Sequence, residues 1–169
     1  IFLLILFSFN DSRYGGRWQG FTFKWYTELF SDGSIMESLY TTIIVAVIAS
    51  IISTVIGTIS AIAIHNMSPR KKAILTNLSY IPMVNPDIVI GISLLSFFSI
   101  LNLKLGYITL ILAHITFNIP YVIFAVLPKL QQLNPNIEEA ALDLGATPIQ
   151  AFFKVILPEI MPGIITGSL

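Results

Sequence analysis

Residues 38–64 read SLYTTIIVAVIASIISTVIGTISAIAI, without one charged side chain and rich in Ile, Val and Ala. About 20 apolar residues carry an α-helix through the hydrocarbon core of a bilayer. This stretch decides the fold class, because its solvent is lipid. Residues 105–128 form a second such run, uncharged apart from the titratable His114. Residues 73–103 form a third, which carries a single charge, Asp87. Three complete spans are predicted.

Further out, residues 1–9 are apolar with no initiating Met, and residues 163–169 (GIITGSL) look like the start of another span. No basic n-region or small-residue cleavage site marks residues 1–9 as a signal peptide. The expectation is an all-α, polytopic helical bundle. It forms one transmembrane domain over 1–169, truncated at both ends, with three full and two partial spans.

Composition agrees with this. The 169 residues are 55% hydrophobic and 11% charged, with a mean hydropathy of +0.84, whereas soluble domains carry about 25% charged residues. The excess lies in long blocks, which excludes a soluble enzyme, a disordered chain and a nucleic-acid binder with a basic face. Nine basic residues balance nine acidic ones, so net charge points to no partner. Cysteine is absent, so there is no disulfide framework or thiolate metal site to consider. No catalytic set is visible. The chain lacks G-x-x-x-x-G-K-[ST], so no P-loop binds nucleotide here.

Four connections follow from the spans: residues 10–37, 65–72, 102–106 and 129–162. The second and fourth share one side and hold Arg70, Lys71, Lys72, Lys129 and Lys154; the others hold Arg13, Arg17, Lys24 and Lys104. Five against four does not orient a membrane protein by the positive-inside rule. The tight cluster Pro69-Arg70-Lys71-Lys72 favours a cytoplasmic second and fourth loop.

That fourth loop is patterned rather than linker-like. Asn134-Pro135 predicts an N-cap followed by proline at the first helical position. Glu138 and Glu139 fall in the first turn, where the helix dipole favours acids. Ile137, Ala140, Ala141 and Leu144 repeat at helical spacing and give one apolar face, and Gly145 is a stop. Thr147-Pro148-Ile149-Gln150 then predicts a capping box, and Ile149, Phe152, Phe153 and Ile156 form a second apolar face. Leu157-Pro158 and Met161-Pro162-Gly163 punctuate the return to the membrane. Two short amphipathic helices joined at a glycine are expected between two spans. They could lie on lipid, but the acidic polar face suits a protein groove better than an anionic lipid surface.

Glu139-Ala140-Ala141, three residues, Gly145, nine residues, then Val155-Ile156-Leu157-Pro158 resembles the EAA loop of ATP-binding-cassette importer permeases. The family pattern is E-A-A, x3, G, x9, I-x-L-P, and Val155 for isoleucine is the one departure. In that family the loop is cytoplasmic and docks its short helix in a groove of the ATPase subunit. The resemblance therefore implies ATPase coupling through Glu138, Glu139, Ala140, Ala141, Asp143, Gly145, Leu157 and Pro158. Glu139 would contact the ATPase groove, and Gly145 would set the angle between the short helices.

The rest is similar to the spermidine/putrescine permeases, and most to the second of their two permease subunits. The carrying segments are Trp18-Gln19-Gly20-Phe21-Thr22 and Lys24-Trp25-Tyr26 within residues 10–30, Pro86-Asp87-Ile88-Val89, and His114-Ile115-Thr116-Phe117. This implies a multi-pass protein of the bacterial cytoplasmic membrane, with residues 10–37 extracytoplasmic and residues 129–162 cytoplasmic. It also implies a second permease subunit, two cytoplasmic ATP-binding subunits holding ATP and Mg, and an extracytoplasmic substrate-binding protein. No cofactor of this chain's own is implied.

Asp87 is the carboxylate well inside a span, and such charges usually face a cavity or a partner. Pro82 and Asn85-Pro86 interrupt the helix around it, and a straight helix over 73–103 would be about 46 Å long, so a break or an extramembrane extension is expected. Asp87 then has two readings: a contact for a substrate ammonium, or a cap whose carboxylate satisfies amides freed by Pro86. Trp25 stands in a loop with Trp18, Phe21, Phe23 and Tyr26. Its ring could attract ammonium groups, or it could anchor the chain at the membrane interface.

Ser53, Gly57 and Ala61 form a small-residue stripe that lets helix backbones approach. His114 and Asn118 share a face one turn apart. Interhelical hydrogen bonding is the expected role for them, with lining of the pathway as the alternative; a lone histidine does not make a metal site. The sequence thus points to a polyamine-importing permease subunit rather than an enzyme. Its competitors are an importer permease for another small cationic or polar solute, a secondary transporter, and a membrane-anchored scaffold.

Overall fold

The computed structural model describes residues 1–12 and 16–169. Arg13, counted above among the loop charges, lies outside them. The helices, in chain order, are α1 (Phe2–Phe7), α2 (Lys24–Ser31), α3 (Gly33–His65), α4 (Pro69–Val84), α5 (Asp87–Ile100), α6 (Tyr107–Gln132), α7 (Ile137–Asp143), α8 (Pro148–Ala151) and α9 (Leu157–Ser168), with a π-helical turn at Phe152–Ile156 joining the last two. The chain divides into two compact units, Ile1–Ile44 and Val45–Leu169.

The first unit is ordered by Asn10, which is 1% exposed. Its side-chain amide donates to the Arg17 carbonyl at 2.8 Å and accepts from the Gln19 amide at 2.7 Å. An isolated antiparallel bridge pairs Asn10 with Phe21. Around that pairing Phe9 stacks on Phe21 and Tyr26 with both ring centroids 5.2 Å away, and Phe23 meets Phe9 edge-on at 5.6 Å. Asp32 closes the connection to α3, its carboxylate accepting from the Ser34 and Ile35 amides at 2.9 and 3.3 Å. These are the orphan donors that a helix start leaves unsatisfied.

Among the described residues, α3, α6 and the continuous helix Pro148–Ser168 are each long and apolar enough to cross a membrane. Residues 73–103, expected as a full span with a break or an extramembrane extension, fall largely in a bent pair, α4 and α5, at 103°. That is the geometry of a broken span or a re-entrant loop. The bend falls at Asn85-Pro86, with Asn85 extended (ψ 145°) as a residue before proline prefers. The Asn85 side-chain amide donates to the Ile81 carbonyl at 2.8 Å and so caps the end of α4. Pro82, expected to interrupt as well, lies inside α4. A proline's fixed φ is compatible with a helix, and near the C-terminal end it removes a single ladder bond.

Two further expectations shift. Helix α6 runs through Pro128 to Gln132, and the second amphipathic helix is no separate element but the start of the final span. Pro158 and Pro162 both lie in that helix without breaking it. A proline ring collides with the carbonyl four residues back, here that of Lys154, and the wider π turn at Phe152–Ile156 gives that carbonyl room.

The core of the second unit is a cluster of Ala61, Ile64, Val122, Ile123, Val126, Leu127, Leu130 and Ile160, contributed by α3, α6 and α9. Glycine makes the close approaches. A Cβ on Gly57 would stand 2.6 Å from Val122 Cβ; one on Gly163 would stand 2.7 Å from the Ala125 carbonyl oxygen; one on Gly167 would stand 3.0 Å from Val122 Cα. Helix α6 is thus flanked by two helices whose glycines face it.

Candidate coupling elbow and substrate contacts

The chain leaves α6 through a turn rather than directly into a helix. Asn134 accepts the Asn136 amide on its side chain at 3.0 Å, and its carbonyl accepts the Ile137 amide at 3.0 Å. With Asn136 at φ −93°, ψ 4°, this is a type I turn that has proline at its second position. Helix α7 consequently begins at Ile137, two residues later than an Asn134 cap predicts. Glu138 and Glu139 stand in its first turn.

Gly145 ends α7 at φ +86°. Its amide donates to the Leu142 carbonyl at 2.9 Å, and the Ala146 amide donates to the Ala141 carbonyl at 3.1 Å. This bond pair is a Schellman cap, which needs a left-handed residue at this position. Thr147 then starts α8. Its hydroxyl accepts the Gln150 amide at 3.3 Å, while the Gln150 side chain accepts the Thr147 amide at 3.0 Å.

The elbow so formed splits each predicted apolar face. Ala141 and Ala151 are buried and Ile137, Phe152, Ile156 and Leu157 are half-buried, whereas Leu144 is 90% exposed, Ile149 71% and Phe153 59%. Glu138, Glu139, Ala140, Asp143 and Pro158 are exposed too. Among the described residues none of the three carboxylates has an ion-pair or hydrogen-bond partner. Acids and exposed large apolar side chains thus alternate within the short segment 138–153, the mixed chemistry that a contact surface uses.

Asp87 is the first residue of α5, directly at the 103° bend, and is exposed. Its carboxylate makes no hydrogen bond or ion pair among the described residues. It complements the dipole of α5 by position but does not bond the amides of the first turn. Trp25 is half-buried and fixed, its indole N–H donating to the Asn10 carbonyl at 2.8 Å. The Lys24 ammonium lies 5.5 Å from the centre of the Trp25 ring, so this ring already holds a cation at its face. Beside it opens a cleft of about 460 Å³ lined by Phe7, Ser8, Asn10, Tyr26 and Leu29 among others.

Ser53 and Ala61 are buried, as is Gly57 against Val122. The pair Gly163 and Gly167, which packs on α6 in the same way, went unread in the sequence. Its signal was the spacing of four between glycines in an apolar run. The interhelical bond expected of His114 is not made among the described residues, since its Nδ1 bonds the Leu110 carbonyl of its own helix at 2.9 Å. The polar bond that does join two helices is Ser50 Oγ donating to the Ser168 carbonyl, 2.7 Å.

Residues 53–169 match the family described as binding-protein-dependent transport system inner membrane component. The chain belongs to that family. It is a multi-pass inner-membrane protein of a transport permease family rather than of an enzyme family. The spermidine/putrescine transport system permease protein PotC of Haemophilus influenzae is 36% identical over 169 residues, covering 100% of this chain and 66% of that protein. PotC of Escherichia coli is 38% identical over 167 residues, with 99% and 63% covered. The putrescine transport system permease protein PotI of Escherichia coli is 36% identical over 174 residues, with 99% and 62% covered. The chain thus spans just under two thirds of the length of these relatives.

Proposed function

We propose that this chain is a permease subunit of an ATP-driven importer of polyamines, coupled to a separate ATPase through the elbow around Gly145. The carrying observation is the elbow itself. Three carboxylates without a bonded partner among the described residues are followed in sequence by exposed Leu144, Ile149 and Phe153, at a helix end locked by a Schellman cap. Its nearness in sequence to relatives named for spermidine and putrescine transport supports the substrate class.

In this reading residues 129–162 face the cytoplasm and residues 10–37 face outward. ATP and Mg belong to two ATPase subunits, a second permease subunit completes the path, and an extracytoplasmic protein delivers substrate. Closure of the ATPases displaces α7, and Gly145, Leu157 and Pro158 relay the displacement to α9. Because α9 is seated on α6 through glycine contacts, it moves as part of a packed body rather than yielding locally. Asp87, with no bonded partner among the described residues, offers an ammonium group a carboxylate at the bend; separately, Trp25 offers the ring face that Lys24 leaves open.

The test is ATP-dependent uptake of labelled spermidine and putrescine by proteoliposomes holding the complete importer and its binding protein. Uptake that requires this chain is expected. Uptake of a different solute, with none of either polyamine, would replace the substrate reading and leave the coupling reading standing.

A further inference from the structure

His114, Phe117, Asn118, Tyr121 and Phe124 recur along α6 at spacings of three and four, so they share one side of the helix. They form a wall of a cleft of about 920 Å³ in the second unit, faced by Ser50 and its neighbours on α3 and by residues 166–169 at the end of α9. Among the described residues no Lys, Arg, Asp or Glu lines it, and Asp87 lies outside it. The coupling reading makes no use of this face.

Its chemistry is that of neutral acceptors set among aromatic rings. A carbonyl oxygen only accepts, so the 2.9 Å contact between His114 Nδ1 and the Leu110 carbonyl places the ring proton on Nδ1. In the neutral ring Nε2 is then left as an acceptor. One turn on, the half-buried Asn118 amide has no hydrogen-bond partner among the described residues. The Phe117 and Tyr121 rings follow, with centroids 5.6 Å apart.

An anion would find no cation here, and the Ser50 hydroxyl is already spent on the Ser168 carbonyl. A wholly apolar occupant would leave the Asn118 amide desolvated and unbonded, which is unfavourable. An alkyl chain ending in ammonium groups satisfies both parts, with its methylenes against the rings and its N–H groups on the acceptors. Neutral acceptors also hold a cation less tightly than a carboxylate does, and conduction requires binding weak enough for release.

We propose that the His114–Asn118–Tyr121 side of α6 is part of the substrate path, where a polyamine's ammonium groups pass over neutral acceptors and aromatic faces. This rests on the polyamine reading above.

Residues 1–169 contain no cysteine, so Asn118→Cys introduces the one thiol of this segment. In the complete reconstituted importer, an ammonium-bearing methanethiosulfonate should label that thiol, as read by the mass of this chain. Spermidine should slow the labelling at least about threefold. Leu112→Cys, on the opposite side of α6, should show no response to spermidine. In parallel, Asn118→Leu should raise KM for spermidine uptake at least about tenfold, the usual scale for losing a charged hydrogen bond, and Asn118→Asp should lower it. Labelling at position 118 that ignores spermidine, or a thiol that the reagent never reaches, would overturn the proposal; the second outcome would mean that another helix covers this face. If Asn118→Leu fails to assemble, the labelling result decides. A parent importer that carries neither polyamine would instead overturn the substrate reading, and protection by the solute it does carry would then decide the path.

Discussion

Gly145 holds φ +86° with nothing within 4 Å of where a Cβ would stand, so its demand is conformational rather than steric. A β-branched residue there costs about 1–2 kcal/mol for the left-handed geometry, enough to unseat the Schellman cap and change the angle at which α7 meets α8. Gly145→Val should therefore retain ATP hydrolysis in the assembled complex but lose most uptake, measured as transported polyamine per ATP. An unchanged ratio would remove Gly145 from the relay. Asp87 is the converse case, a side chain that the fold does not use. Because its carboxylate bonds nothing among the described residues, Asp87→Asn should leave abundance unaltered and cost no more stability than the dipole contribution at the start of α5, about 0.3–1 kcal/mol. Uptake should fall about tenfold, since a hydrogen bond to a charged group is worth roughly 1.5–3 kcal/mol. Normal uptake at normal abundance would show that the substrate does not meet it.

Helix α9 and its upstream turns show how an element's behaviour departs from its residues' reputations. Three prolines, Pro148, Pro158 and Pro162, lie within the continuous helix Pro148–Ser168. The first occupies a helix start, where no ladder bond is lost, and the π turn widens the ladder ahead of the second. What fixes α9 is contact with α6 at Gly163 and Gly167. Gly163→Val would drive a side chain into the Ala125 carbonyl, 2.7 Å from the Cβ position. Overpacking of this kind costs about 1–3 kcal/mol, so the melting temperature in detergent should drop. Gly91→Ala, in α5 with nothing within 4 Å, should hold or raise it, because alanine is the better helix former by up to about 1 kcal/mol. Equal melting temperatures for the two variants would mean that α9 is not seated through Gly163.

On the scale of the whole molecule, the proposed coupling requires the acidic edge of the elbow to act in recognition more than in stability. Glu138→Gln, Glu139→Gln and Asp143→Asn combined should weaken co-purification with the ATPase subunits while lowering the melting temperature only slightly, through the small dipole contribution of the two first-turn acids, about 0.3–1 kcal/mol each. The difference from the parent should shrink as salt is raised, because exposed charges act across an interface chiefly through steering and are screened. Undiminished, salt-independent co-purification would assign the docking to Leu144, Ile149 and Phe153 alone. Much of this was legible beforehand, where the physics is local. Membrane spans follow from unbroken apolar runs, the Thr147 cap from a box of adjacent residues, and the Gly145 stop from glycine's freedom at positive φ. The family pattern over Glu139–Pro158 was readable for the same reason, as residue types at set spacings. The break at Asn85-Pro86 was legible too, but tertiary structure alone decided its 103° angle, the passage of a helix through Pro158 and Pro162, and the outward exposure of Leu144 while Ala141 is buried. Each depends on what stands opposite: periodicity assigns side chains to a face, and only a packed neighbour determines which of them that face hides.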